Sequence, residues 1–439
     1  MPLCGASSGE GMGRGSTLVE KIIARAAGVD RVAPGQLVTA QVDLAFAHDS
    51  SGPRRWAPML RELGVGLWDP QKVAIVSDHY VPAVDAESAR ILKLAREFAA
   101  EHQVGAFFDM VGICHLVLPE HGLIRPGAFV AGGDSHSPTA GAFGAYAAGY
   151  GATDMAAIVA TGETWLAVPE TIRVEWSGRF GAGVAAKDIM LFLCRELGMD
   201  NAFKAIEYGG DTVEGLSMAE RMVLCNMAAE LGCEAGVVAP DRTTFAYLRA
   251  AGRPVEDEAA ALALASDRDA VYAAVHRFDA ATLQPQIAAP HDPSRTQDVT
   301  EHAGIKVDQC YIGACVGAKI EDLRMAAAVL KGRKVSPDTR LLIAPASQKT
   351  TTTATQDGTL QTLMEAGAVL LPSGCGACAG YGAGVLADGE VCISSTNRNF
   401  KGRMGSKEAQ VYLGSPYSVA AAAVEGRIAD PRQFLGETA

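Results

Sequence analysis

Two hydrophobic periods alternate along this chain, one helical and one of strand type, from its first third to its end. In 16–30, STLVEKIIARAAGVD, residues Leu18, Ile22 and Ile23 line one helical face; Ser16 or Thr17 can cap it and Gly28 stops it. QLVTAQVDLAFAHD reads as a strand carrying Val38, Val42 and Leu44, with His48-Asp49 at its end. VAIVSDHYVP, 73–82, reads as a buried strand delivering Asp78-His79, and 85–102 as an amphipathic helix. His115 follows in an apolar context, and then comes GGDSHSP, 132–138. The run GAFGAYAAGYGATDMAAIVATGETW reads as small-residue helix.

From Val168 the texture changes. VPETIRVEW is a strand entering a new region, Asp188 to Leu197 a helix, and FKAIEYGG a short strand presenting Glu207. SMAERMVLCNMAAELGCEAG reads as a buried helix, and PQIAAPHDPSRTQD as an interdomain linker. The last third has a strand into Cys310 and Cys315, a helix from Ile320, the strand RLLIAPAS, and Thr350 to Thr353 as caps for a helix near Asp357. Strands alternating with helices throughout make this an α/β chain.

Composition adds limits. At 439 residues the length suggests about three domains. A net charge of −12 argues against nucleic acid or an anionic membrane surface as partner, while leaving room for a small anion at a local arginine cluster. The opening MPLCGASSGEGMGRG has no apolar leader core and reads as a flexible tail over 1–15. No apolar run reaches the ~18 residues that span a bilayer. The expectation is a cytoplasmic, reducing setting, in which paired cysteines favour metal over disulfide.

The chemistry concentrates in LPSGCGACAGYGAGVLADGEVCISSTNRNFKGR, 371–403. Cys375 and Cys378 stand three apart among glycines, with Cys315 in a second glycine-flanked turn. A closed zinc site would need a fourth ligand, for which Cys310 or Cys392 would have to serve. Three thiolates from two glycine turns suit an iron–sulfur cubane with one iron left open. Asn397, Arg398 and Arg403 suit carboxylate recognition. Asp78 beside His79, and Asp134 beside His136, are potential proton-handling pairs. His48, His115 and Glu207 each have two readings: a strand-end, core or loop residue, or a group delivered to a pocket.

GDSHSPTAGAFGAYAAGYGATDMAAIVATGETWLAVPETI, the EDL after Cys315, the GCGAC pair and STNRNFKGR together resemble the large subunit of the aconitase superfamily. The match is nearest the 3-isopropylmalate dehydratase and homoaconitase type, and it runs from about Thr17 to about Val419. It implies three aconitase-like α/β domains, at 16–167, 168–290 and 291–439, around a [4Fe–4S] cluster held by Cys315, Cys375 and Cys378. It implies the pairs Asp78 with His79, His115 with Asp134, and His136 with Glu207, and substrate contacts from His48, Ser135, Asn397, Arg398 and Arg403. The activity implied is a hydro-lyase acting on a hydroxy di- or tricarboxylate. Isopropylmalate comes first, then homoaconitate, methylmalate, dimethylmalate or maleate. The family's fourth, swivelling domain has no counterpart here, which implies a separate small subunit carrying it. The usual G-S-C-T-N stands here as Gly313-Ala314-Cys315-Val316-Gly317, with Lys319 nearby. The competing class, a non-catalytic iron–sulfur redox or sensing protein, would be expected to use four cysteines and keep no acid–base histidines.

Overall fold

A computed structural model of the chain describes residues 14–436. Of the expected tail, 1–13 lie outside the described residues, whereas Arg14 ion-pairs with Glu20 and Gly15 bridges to Ala270. The first helix, Leu18–Ala27, begins on a capping box between Thr17 and Glu20 and ends at Gly28, whose φ of 67° is left-handed.

Three sheets carry the architecture. The first is wholly parallel, in spatial order Ala106–Asp109, Val73–Ser77, Leu44–His48, Phe129–Gly132, Tyr146–Gly149. Its first strand in sequence is central: the chain winds two strands to one side, then two to the other. The second sheet, also parallel, runs Ala235–Val238, Lys204–Gly209, Glu170–Ser177, Ala274–Asp279. The third repeats the winding of the first. Gln309–Ile312 is central, Arg340–Ile343 and Val369–Leu370 lie to one side, and Val391–Ser394 and Gln410–Leu413 to the other. In sheets wound this way the connections leave the central strand in opposite directions, so a crevice opens at its carboxyl end.

Four expectations change. QLVTAQVDLAFAHD forms two strands, not one: Leu37–Gln41 pairs antiparallel with Glu163–Ala167, and Leu44–His48 enters the parallel sheet. Asp43 makes the break, its carboxylate accepting from Phe129 N at 2.7 Å. The small-residue run holds a 3₁₀ turn, the strand Tyr146–Gly149 and the helix Ala152–Thr161, because Gly144 at φ 72° ends the turn. The expected linker is a hairpin instead. Gln286–Ala288 pairs with Thr296–Asp298 and, through Ala288, with Leu413, so the expected break at 290 falls inside the third sheet's edge. Finally, Thr350 to Thr353 lie inside the helix Gln348–Gln356, which Ser347 caps.

Candidate active site

The carboxyl ends of the first and third sheets share a polar cavity of about 180 Å³. From the first sheet come Ser50, His79, His115, Asp134, Ser135 and His136; from the third come Cys315, Cys375, Cys378, Asn397, Arg398 and Arg403. Residues more than 300 positions apart thus meet because each follows a strand of a doubly wound sheet.

On the histidine side, Asp49 fixes the backbone. Its carboxylate accepts from the N–H groups of Asp78, His79 and Tyr80 at 3.3, 3.0 and 2.8 Å. His79 Nδ1 lies 2.7 Å from Asp78 Oδ1, and the other Asp78 oxygen accepts from Cys114 N, also at 2.7 Å. Burial opposes charge on His79, but the carboxylates of Asp78, Asp134 and Asp49 outweigh it and push the imidazole up to about 9. Nδ1 being taken, Nε2 is the nitrogen free to serve the cavity. Asp134 is a hub: Oδ1 lies 2.7 Å from His115 Nε2 and accepts from His136 N at 2.7 Å. Burial would raise the Asp134 carboxyl; the charge of His115 and bonds from His115, His136 and His48 hold it well below the usual carboxylate range.

One expected pairing needs correction, and one expected position stands back from the cavity. His48 does not line the cavity. Its ring stacks on His79 at 3.7 Å, its Nε2 lies 3.4 Å from Asp134 Oδ2, and Ser50 N donates to its Nδ1. It stands behind His79 and Asp134, and Ser50 lines the cavity instead. Glu207 is not the partner of His136. It faces its strand neighbour Arg173, whose Nη1 donates to it at 2.6 Å, and it accepts from Ser266 Oγ at 2.7 Å. His136 Nε2 instead lies 3.0 Å from Oε1 of Glu230, which also accepts from Arg398 Nε at 2.7 Å. Burial would raise the Glu230 carboxyl, yet the His136 and Arg398 charges hold it down.

Glu230 and Asn226 were concealed in the run CNMAAE, which reads as core. The available signal was an amide and a carboxylate in the mostly apolar stretch MVLCNMAAEL, since such groups are seldom buried without a partner. Asn226 Nδ2 donates to Cys315 Sγ at 3.1 Å and to Thr139 Oγ1 at 2.8 Å, and its Oδ1 accepts from Asn397. Asn397 Oδ1 in turn faces the sulfurs of Cys315 and Cys378 at 3.8 and 3.9 Å.

The altered turn around Cys315 has its own support. Ala314 takes a left-handed φ of 69°. Ser395 Oγ accepts from Gly313 N and donates to Gly317 O, each at 3.1 Å. A Cβ on Gly317 would stand 2.3 Å from that Oγ and 2.5 Å from the Ser395 carbonyl oxygen, so the turn and the loop before Asn397 pack through a bare glycine. Gly317→Ala is expected to lower apo-protein stability by about 1–3 kcal/mol, read as a drop in denaturation midpoint.

The donor set fits an iron–sulfur cluster. Cys315, Cys375 and Cys378 are free thiols on one cavity. Burial pushes Cys315 up to about 12 and Cys375 well above the ordinary thiol, so their thiolates need a cation to persist. Among the described residues no fourth thiol lines the cavity: Cys310 and Cys392 are buried on their strands. Arg403 Nε is buried without an acceptor, a donor left for an anion.

Fold and cavity together define a class, an α/β protein whose facing switch points join histidine–carboxylate pairs to a three-thiol site. The chain belongs to the aconitase family, whose sequence model (Aconitase family, aconitate hydratase) matches residues 20–426. It is 46% identical over 428 residues to 3-isopropylmalate dehydratase large subunit 1 of Methanopyrus kandleri, covering 96% of this chain and all of that one. It is 43% identical to the probable methanogen homoaconitase large subunit of Methanothermobacter thermautotrophicus, over 95% of this chain and 98% of the relative. Identity to 3-isopropylmalate dehydratase large subunit 1 of Pyrococcus furiosus is also 43%, over 96% and 99%. No described helix is long and apolar enough to cross a membrane.

Proposed function

We propose that this chain is the catalytic large subunit of an iron–sulfur hydro-lyase that reversibly dehydrates a hydroxy di- or tricarboxylic acid, with 3-isopropylmalate as first substrate. One observation carries the reading: the three thiols, the His79–Asp78 pair and the Arg398 and Arg403 guanidinium groups meet in a single cavity. The names of the relatives set the order of substrates, with homoaconitate behind isopropylmalate. When bound, a [4Fe–4S] cluster on Cys315, Cys375 and Cys378 would supply one iron without a protein ligand, a Lewis acid beside the substrate's oxygens.

The remaining work falls to side chains. His79, protonated at neutral pH, delivers its Nε2 proton to the departing hydroxyl, so that C–O cleavage releases water rather than hydroxide. Asp78 holds the imidazole by Nδ1 and keeps it charged until that moment. Arg398, braced by Glu230, and Arg403 bind the substrate carboxylates; Ser135 and Asn397 orient them. The proton lost from the neighbouring carbon goes to a base on a separate small subunit, and rehydration at that carbon completes the isomerisation. A cytoplasmic location, where thiols stay reduced, goes with this reading.

The test is a panel of 2-isopropylmalate, homocitrate, citramalate and malate offered to the reconstituted chain plus small subunit, followed by ultraviolet absorbance of the unsaturated acid. Conversion of 2-isopropylmalate in preference to the others is expected. Absence of turnover on every acid with an intact cluster would refute the reading.

A further inference from the structure

Three lysine or arginine side chains are buried among the described residues: Lys187 at 2% exposure, Arg221 at 0% and Lys319 at 3%. Two are matched by carboxylates. Arg221 pairs with Asp241 at 2.7 Å, and Lys319 pairs with Asp322 at 2.6 Å while also donating to Val316 O. Lys187 differs. Its Nζ donates to one acceptor, the Thr396 carbonyl oxygen at 2.6 Å, and among the described residues no carboxylate lies within 4 Å. An ammonium group withdrawn from water and left with a single carbonyl is costly, and such charges persist where opposite charge reaches them.

Its surroundings indicate where that charge comes from. Lys187 is the second residue of the helix Ala186–Leu197, whose amino terminus adds its own positive dipole end. The groups whose charge it feels are Glu230 and the thiols of Cys194, Cys378 and Cys315. Glu230 is already shared between His136 and Arg398. Thr396, which Lys187 holds, immediately precedes Asn397, the amide facing the Cys315 and Cys378 sulfurs. Deprotonating three thiols to hold a cluster creates anionic charge on this side of the cavity.

We infer that Lys187 is the buried counter-ion of the occupied thiol site, a positioning residue that sets positive charge behind Cys315 and Cys378 and fixes the loop bearing Asn397. This rests on the iron–sulfur reading proposed above. In the empty protein Lys187 is opposed by Glu230 alone, with no carboxylate within 4 Å among the described residues, whereas the loaded protein adds thiolate charge, so Lys187 biases the site toward occupancy. Net charge near a cluster also sets its reduction potential.

The experiment compares Lys187→Met with the wild-type full chain, first as apo-protein and then after cluster reconstitution. Apo Lys187→Met is expected to melt at or above the wild-type temperature, because removing an unmatched buried charge relieves its desolvation. The reconstituted variant is expected to lose iron to a chelator about 10–100-fold faster and to show a more negative cluster potential. Lys187→Arg should restore the potential toward wild type. A variant whose apo form melts lower while its potential is unmoved would make Lys187 only a tie to Thr396, and the inference would fall. A wild-type chain that takes up no cluster overturns the iron–sulfur reading and this inference with it; uptake by wild type with an unmoved potential in Lys187→Met overturns this inference alone.

Discussion

His79→Gln should lower turnover by about 100- to 10,000-fold while leaving cluster uptake unchanged. The glutamine keeps a polar side chain in the wall but has no proton to give to a departing hydroxyl. None of the three thiols is touched, so the absorbance of the reconstituted cluster serves as the internal control. The same assignment fixes a pH dependence. The donor is competent while the imidazole is protonated, and its folded-state value is about 9. Dehydration at saturating substrate should therefore hold through neutral pH and fall as pH rises through about 9, with that alkaline limb missing from the His79→Gln profile. Turnover retained in the variant would show that another group protonates the leaving hydroxyl.

Glu230→Gln has the second large effect, and Glu207→Gln is its control. Glu230 is fully enclosed and one oxygen serves both His136 and Arg398, at 3.0 and 2.7 Å. The amide leaves two cationic partners facing a neutral group, and breaking buried ion pairs of this kind costs about 3–5 kcal/mol. His136, held above its ordinary value by Glu230 against its burial, loses much of that support. Substrate affinity and turnover should both drop, since Arg398 loses the brace that aims it. Glu207→Gln disturbs the pair with Arg173 at a site away from the cavity, so it should reduce stability without a specific effect on turnover. Equal losses of turnover in the two variants, with both folded, would contradict the pairing seen here.

Much of this arrangement was legible before any coordinates. Strand-end motifs such as Asp78-His79, Asp134 to His136 and Cys315 announce themselves because period-2 or continuous apolar runs stop at abrupt polar or glycine residues. The helix at Leu18–Ala27 was legible from its capping box for the same local reason. Partner choice was not. Whether His136 meets Glu207 or Glu230 depends on which way a strand residue faces, and Arg173 lies directly opposite Glu207 in the register of two parallel strands. Ala- and Gly-rich segments such as 141–165 give no contrast between periods, so the strand Tyr146–Gly149 reads as helix from sequence. His48 illustrates a finer limit: sequence brings it to the right edge of the sheet, but stacking on His79 decides that it stands behind the wall.

The division of the cavity between sheets also bears on the order in which a nascent chain acquires its chemistry. All three thiols come from the part of the chain after Gln309, whereas the histidine wall is complete once Tyr146–Gly149 has paired. Domains emerging from the ribosome tend to fold from the amino terminus onward. The His79 and His115 pairs can therefore be in place while, among the described residues, Cys114 is the one cysteine made, and it does not line the cavity. Under the iron–sulfur reading proposed above, iron finds no three-thiol site until Cys378 has been made, so metal uptake follows formation of the histidine-bearing sheet.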